Sequence, residues 1–204
     1  MKVGINGAVR DISDLKAGVN GAVRTVSEAY IGVSGAVKKV WPFIPIGYQE
    51  ILDTVGSGEW TCPASGNWLL ELHGGGGGGG SFDAVSFRFG GGGGGSGEEY
   101  EIALNAGQNV LYEIGNGTFL DGKATTFGEY SIDGGRHAVM DFGGSGVGSL
   151  ATDGTNAQHG KRGKGGSGNK NKPSQTYGNG GDGGDVASDP EKGTDGAIIL
   201  TYLG

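Results

Sequence analysis

Two unbroken glycine runs, Gly74–Gly80 and Gly90–Gly95, constrain this chain more than anything else in it. Glycine has no side chain to bury and loses more backbone freedom on folding than any other residue. Fixing one residue costs roughly 1–2 kcal/mol, so ordering all 49 glycines costs on the order of 50–100 kcal/mol. Side-chain packing cannot offset that inside the runs. Either the runs are flexible linkers, or backbone packs on backbone, each hydrogen bond contributing about 0.5–1.5 kcal/mol net. The apolar stretches Leu69–His73 and Ser86–Phe89 lead straight into the runs and need burial, which favours the ordered solution.

The glycines lack a G-X-Y period and prolines number only 5, which excludes collagen. A net charge of −7 argues against a general nucleic-acid binder. No apolar stretch approaches a membrane span and no signal-peptide pattern opens the chain, so neither insertion nor export is expected. The single Cys62 cannot form an intrachain disulfide and reads as a small buried hydrophobe.

The first forty residues repeat. Segments starting at Val3, Ala17 and Ile31 align without gaps, each running from a short apolar stretch through Asn-Gly or Ser-Gly to Ala-Val-Arg/Lys. Asn6-Gly7, Asn20-Gly21 and Ser34-Gly35 fit two-residue hairpin turns, where both central residues need positive φ. Three hairpins form either a small meander or an attachment module whose internal pseudo-threefold suits a trimeric partner. Residues 41–48, with Pro42 and Pro45, read as a stiff connector.

From Gln49 onward, period-two alternation predicts strands. Trp68, Leu70 and Leu72 share one face, as do Val85, Phe87 and Phe89; Tyr100, Ile102 and Leu104; Val110, Tyr112 and Ile114; and Ile198, Leu200 and Tyr202. No segment has helical periodicity, so residues 49–204 are expected to form an all-β domain.

Gly58-Glu-Trp-Thr-Cys-Pro63, a strand ending in polyglycine, a second such run, Leu104-Asn-Ala-Gly-Gln108 and the closing Gly196-Ala-Ile-Ile-Leu-Thr-Tyr202 together resemble the glycine-rich domain of bacteriophage tail fibres and tail-tip adhesins. The hairpin-like repeats resemble modules of phage tail proteins. The resemblance covers roughly residues 54–204 and implies a β-sandwich-like domain with packed polyglycine II segments. Gly74, Gly75, Gly76, Gly77, Gly78, Gly79 and Gly80 would run beside Gly90, Gly91, Gly92, Gly93, Gly94 and Gly95. It further implies a virion protein assembled in the host cytoplasm. Residues 1–40 would bind other tail proteins, and loops would meet a host cell-surface polysaccharide or protein. A homotrimer, or a seat on a trimeric fibre, fits the same setting. The alternative is a purely structural tail-tip or capsid-decoration protein.

No enzyme, cofactor or metal site is expected. The Gly-x-Gly-x-x-Gly inside the first run and the near P-loop at Gly117–Ala124 lack a following helix. Asp182 and Asp185 lie in a single calcium-roll-like copy, where stacked copies are needed, so a solvated turn is expected. His73, His137 and His159 have no ligand-like spacing. Candidate receptor contacts are the basic residues Lys161, Arg162, Lys164, Lys170 and Lys172, which fall in a stretch without acidic residues, unless that stretch is only a solvated loop. Phe119, Phe127, Tyr130 and Tyr177 are either further contacts or plugs for a thin core. Phe82 and Phe142 flank glycine and are placed to cap a glycine bundle.

Overall fold

The computed structural model describes residues 2–5, 8–11, 16–19, 22–25, 29–33, 36–41, 44–81, 90, 92–158, 161–172, 174–184 and 188–204. The chain divides into two compact units, Met1–Pro45 and Ile46–Gly204, and its described residues contain strands but no helix. In the first unit three antiparallel pairs follow one another: β1 (Lys2–Ile5) with β2 (Ala8–Asp11), β3 (Lys16–Val19) with β4 (Ala22–Thr25), and β5 (Ala29–Val33) with β6 (Ala36–Trp41). The expected turn residues Asn6, Gly7, Asn20, Gly21, Ser34 and Gly35 lie outside the described residues.

The second unit contains two four-stranded antiparallel sheets. One has the order β10 (Glu98–Leu104), β9 (Gly66–His73), β14 (Ala197–Tyr202), β7 (Gln49–Leu52). The other has the order β13 (Tyr130–Ile132), β12 (Thr125–Phe127), β11 (Asn109–Ile114), β8 (Gly56–Thr61). Alternation sends Trp68, Leu70, Leu72, Ile102, Ile198 and Leu200 from the first sheet into one core with Trp60, Val110, Ile114, Phe127 and Ile132 from the second. Trp60 meets Trp68 edge to face, with ring centroids 5.6 Å apart.

Between the strands the chain leaves the sheets repeatedly and returns, and the excursions pack side by side. Gly74–Gly80 lie at the centre of one group. Gly75 and Gly78 donate their amides to the carbonyls of Lys123 and Leu120, Gly76 and Gly79 to Thr194 and Glu191, and Gly77 to Gly94. Carbonyls along the same run accept from Gly135 and Ala138, from Thr118, and from Gly181 and Gly184. The bonding direction therefore recurs every third residue. The second run repeats the pattern. Gly90, Gly93 and Ser96 donate to Gly184, Gly181 and Gly178; Gly92 and Gly95 donate to Thr155 and Thr152; Gly94 donates to Arg136. Its carbonyls accept from Gly163 and Gly166, from Gly144 and Val147, and from Gly77.

Each run is thus ringed by neighbours bonded to it mainly through main chain, with the Ser96 hydroxyl accepting from Gly74 at 3.2 Å, and its described glycines are buried. A Cβ on Gly76 would fall on the Asn179 carbonyl, and one on Gly93 on the Gly77 carbonyl, both closer than real Cβ atoms come. At the rim, where a neighbouring backbone is missing, short side chains supply the acceptor. Asn156 and Asp153 accept from the amides of Gly143 and Gly146, and Asp182 and Asn179 from those of Gly165 and Gly168. Thr155 and Thr152 serve Lys164 and Ser167. Each acceptor pair is spaced by three, matching the period of the segments beside it.

Because the space around a central glycine is filled by carbonyls, Gly76→Ala and Gly93→Ala should each lower stability by about 1–3 kcal/mol or more, read from the urea midpoint. Glu101→Ala, on an exposed face, should stay within about 0.5 kcal/mol. Unchanged midpoints for the two glycine variants would contradict this packing.

Candidate functional site

The register of the glycine segments determines where their turns lie. Gly78 pairs with Leu120 and Ala138, Gly79 with Glu191, Gly80 and Gly90 with Gly184, Gly90 also with Gly163, and Gly92 with Thr155. The turns at 119–121 and 139–142, the Gln158–Lys161 bridge, Ser81 and Gly184 therefore lie at one end of the bundle. At the other end the segments run into β9–β14, joined by short turns around Leu150 and residues 169–177.

The far end exposes large apolar side chains. Phe119 and Leu120 occupy one turn, and Val139, Met140 and Phe142 occupy the next; all are more than half exposed. Val139 and Phe142 exchange backbone hydrogen bonds of 3.2 and 3.1 Å, closing a tight two-residue turn. Met140 in that turn has φ 55°, the only positive φ at a non-glycine among the described residues. For a long side chain this conformation is strained, and the surrounding hydrogen bonds must hold it.

Ion pairs fix the neighbouring main chain. Asp121 accepts from the His137 amide at 2.9 Å and from Arg136 Nη1 at 2.9 Å, and its Oδ1 lies 2.7 Å from His137 Nδ1. Burial alone would raise its pKa. The hydrogen bonds from the His137 ring and amide and from Arg136 outweigh that and bring it down to about 2 from 3.8. Asp182 does the same for the segment beginning at Lys161. It accepts from the Gly165 amide at 2.8 Å and pairs with Lys164, with Arg162 Nη2 at 3.7 Å. Partial burial pushes the Asp182 pKa up, while Lys164, the Gly165 amide and Arg162 bring it below the usual carboxylate value.

The structure separates the candidate contacts expected from sequence. Phe119 is in a far-end turn, and Lys161, bridged to Gln158, is exposed. Arg162 also pairs with Glu191 at 3.7 Å, so Arg162 and Lys164 have their charges matched along the bundle rim. Lys170 and Lys172 belong to the turn beside the sheets, where Lys172 pairs with the buried Glu71. The five cations therefore form no single patch, because 161–168 is a bundle segment with its ends in different places. Phe127 is core, 1% exposed. Tyr130 stacks on Tyr100 with centroids 4.9 Å apart, and Tyr177 donates to Asp53 at 3.0 Å beside the sheet. Phe142 is exposed at the bundle end rather than folded over it. Phe82, Gly91, His159 and Asp185 lie outside the described residues.

Leu120, Val139 and Met140 were not singled out from sequence. Their signal was an apolar cluster interrupting glycine-rich chain with no strand alternation to bury it. Asn169 was missed too. Only 2% exposed, it donates to Glu71 and Gln175 and accepts from the amides of Asn171 and Lys172, organising the turn beside the sheets. No protein-family model and no curated protein matches the sequence.

Asp121 has a depressed folded-state pKa, so its contribution to stability is complete above about pH 4 and is lost as pH falls toward 2. The stability difference between the wild type and Asp121→Asn should be constant from pH 7 to about 4.5 and shrink below that. Denaturant titrations across this range would show it; a difference independent of pH would remove Asp121 from this role.

Proposed function

We propose that this chain is a bacteriophage tail-fibre or tail-tip protein that meets the host cell surface through the far-end turns of its glycine bundle. In this reading the glycine segments are threefold polyglycine II helices. Such a helix has three residues per turn with its backbone groups pointing outward, so each run can bond to neighbours all round it. The antiparallel pairs of residues 1–40 are hairpin repeats that attach the protein to other virion proteins, and 41–48 connect them to 49–204. A trimeric seat matches their threefold repetition. Catalysis, a cofactor and nucleic-acid binding have no part in it.

The observation that carries the reading is the concentration of exposed apolar side chains, with a strained Met140, on the one end where the turns at 119–121 and 139–142 lie. Rigid main chain beneath the turns lowers the ordering cost of contact. Several copies on one particle turn weak contacts into firm attachment. The matched charges at Arg162, Lys164 and Lys172 favour an apolar contact, such as a surface protein offers, over an anionic polymer.

Replacing Phe119, Leu120, Met140 and Phe142 together by serine should cut adsorption of the particle by at least about tenfold while leaving the melting temperature within a few degrees. Normal adsorption by particles carrying the folded variant would favour the purely structural virion component instead.

A further inference from the structure

We propose that the sheet end of the second unit carries a separate binding site for a neutral saccharide, in the cleft between the outer face of β7 and β14 and the turn at 169–177. The cleft is an open groove of about 610 Å³. That falls within the roughly 300–1,000 Å³ of small-molecule sites and would admit a short oligosaccharide.

The chemistry of the walls selects the ligand. The accessible floor is aliphatic and is formed by Ile51, 47% exposed, beside its cross-strand partner Ile199, which is only 2% exposed. Tyr177 forms an aromatic side wall whose position is set at two points. Its hydroxyl donates to Asp53 at 3.0 Å, and its ring lies 6.4 Å from that of the fully buried His73. Around this apolar surface stand amides already turned for use. Gln49 donates its Nε2 to Thr201 at 3.0 Å, which leaves its carbonyl oxygen to accept. Gln175 accepts through Oε1 from Asn169 at 3.1 Å, which leaves its NH₂ to donate. A pyranose has this same division, an aliphatic C–H face bordered by hydroxyls that donate and accept.

Charge argues for a neutral ligand. Lys172 at the cleft edge is paired with Glu71, whose carboxylate is 1% exposed and also holds Asn169 at 3.1 Å. Among the described lining residues Lys172 is the one cation and it is matched, so none is left to take a phosphate or uronate, and the polar rim is unsuited to a lipid chain. The cleft is open along one side, so single-site affinity should be weak, in the millimolar range, and useful through copy number. This site is independent of the far-end turns.

Saturation-transfer NMR on the full chain with lactose, maltose and chitobiose, each in excess, tests the assignment. Transfer to the ring protons of at least one disaccharide is expected. It should be abolished by Ile51→Trp, which fills the floor, and binding should weaken about tenfold in Gln49→Ala. Amide spectra of both variants report whether the fold is kept, and Gln49→Ala stands as the test if Ile51→Trp misfolds. Absence of transfer with all three sugars, or transfer unaltered in a folded variant, would overturn the site. Particles carrying Ile51→Trp should keep contact through the far-end turns, so loss of sugar binding and loss of tip contact are separable.

Discussion

Main-chain hydrogen bonding between close-packed extended segments is the interaction on which the second unit depends. Gly74–Gly79, Gly90 and Gly92–Gly95 have carbonyls where a Cβ would otherwise stand. Their amides point in a different direction at each step and return every third residue. This solves the problem posed by glycine, whose ordering cost no side chain can offset. Burial removes competing water, the amides of Gly75–Gly79, Gly90 and Gly92–Gly95 each have a carbonyl partner, and the absence of side chains brings the segments close enough to gain dispersion contacts along their length.

The sheets and the bundle support one another through the chain. β9 runs into the first glycine run and β10 receives the second; β11 and β12, and then β13 and β14, deliver and collect the remaining excursions. A Trp60–Trp68–Phe127 core holds these strand ends in place, and the bundle continues where the side-chain core stops. At the junction Glu71, Asn169 and Lys172 seal the outer face of the sheet under the turn at 169–177. Such a frame leaves the apolar side chains of its far-end turns, Phe119, Leu120, Val139, Met140 and Phe142, exposed, while Asp121 ties the first of these turns to Arg136 and His137.

Much of this was legible in the chain. Trp68-x-Leu70-x-Leu72 and Ile198-x-Leu200 gave the buried faces of β9 and β14, and uninterrupted glycine marked the two central segments. The outer segments were harder to read, because there only the inward position needs to be glycine and the outward positions carry Asp, Asn, Thr and Lys like any loop. Read with a period of three, Thr152/Thr155, Asp153/Asn156 and Asn179/Asp182 are rim acceptors. Read with a period of two, they are noise. The same confusion hid the separation of the five cations, because a stretch without acidic residues in sequence crosses the bundle from end to end in space. Phe127 and Tyr130 looked like loop residues because β12 and β13 are three residues long, too short to display alternation.

Amide hydrogen exchange measured by NMR on the glycine runs tests this frame most directly. The account predicts slow exchange, close to that of core strands such as β9 and β14, for Gly75–Gly79 and Gly92–Gly95. It also predicts that the far-end amides near Met140 exchange much faster. Exchange of the central glycine amides at the rate of an unstructured peptide would contradict it, and the turns would then have no rigid support.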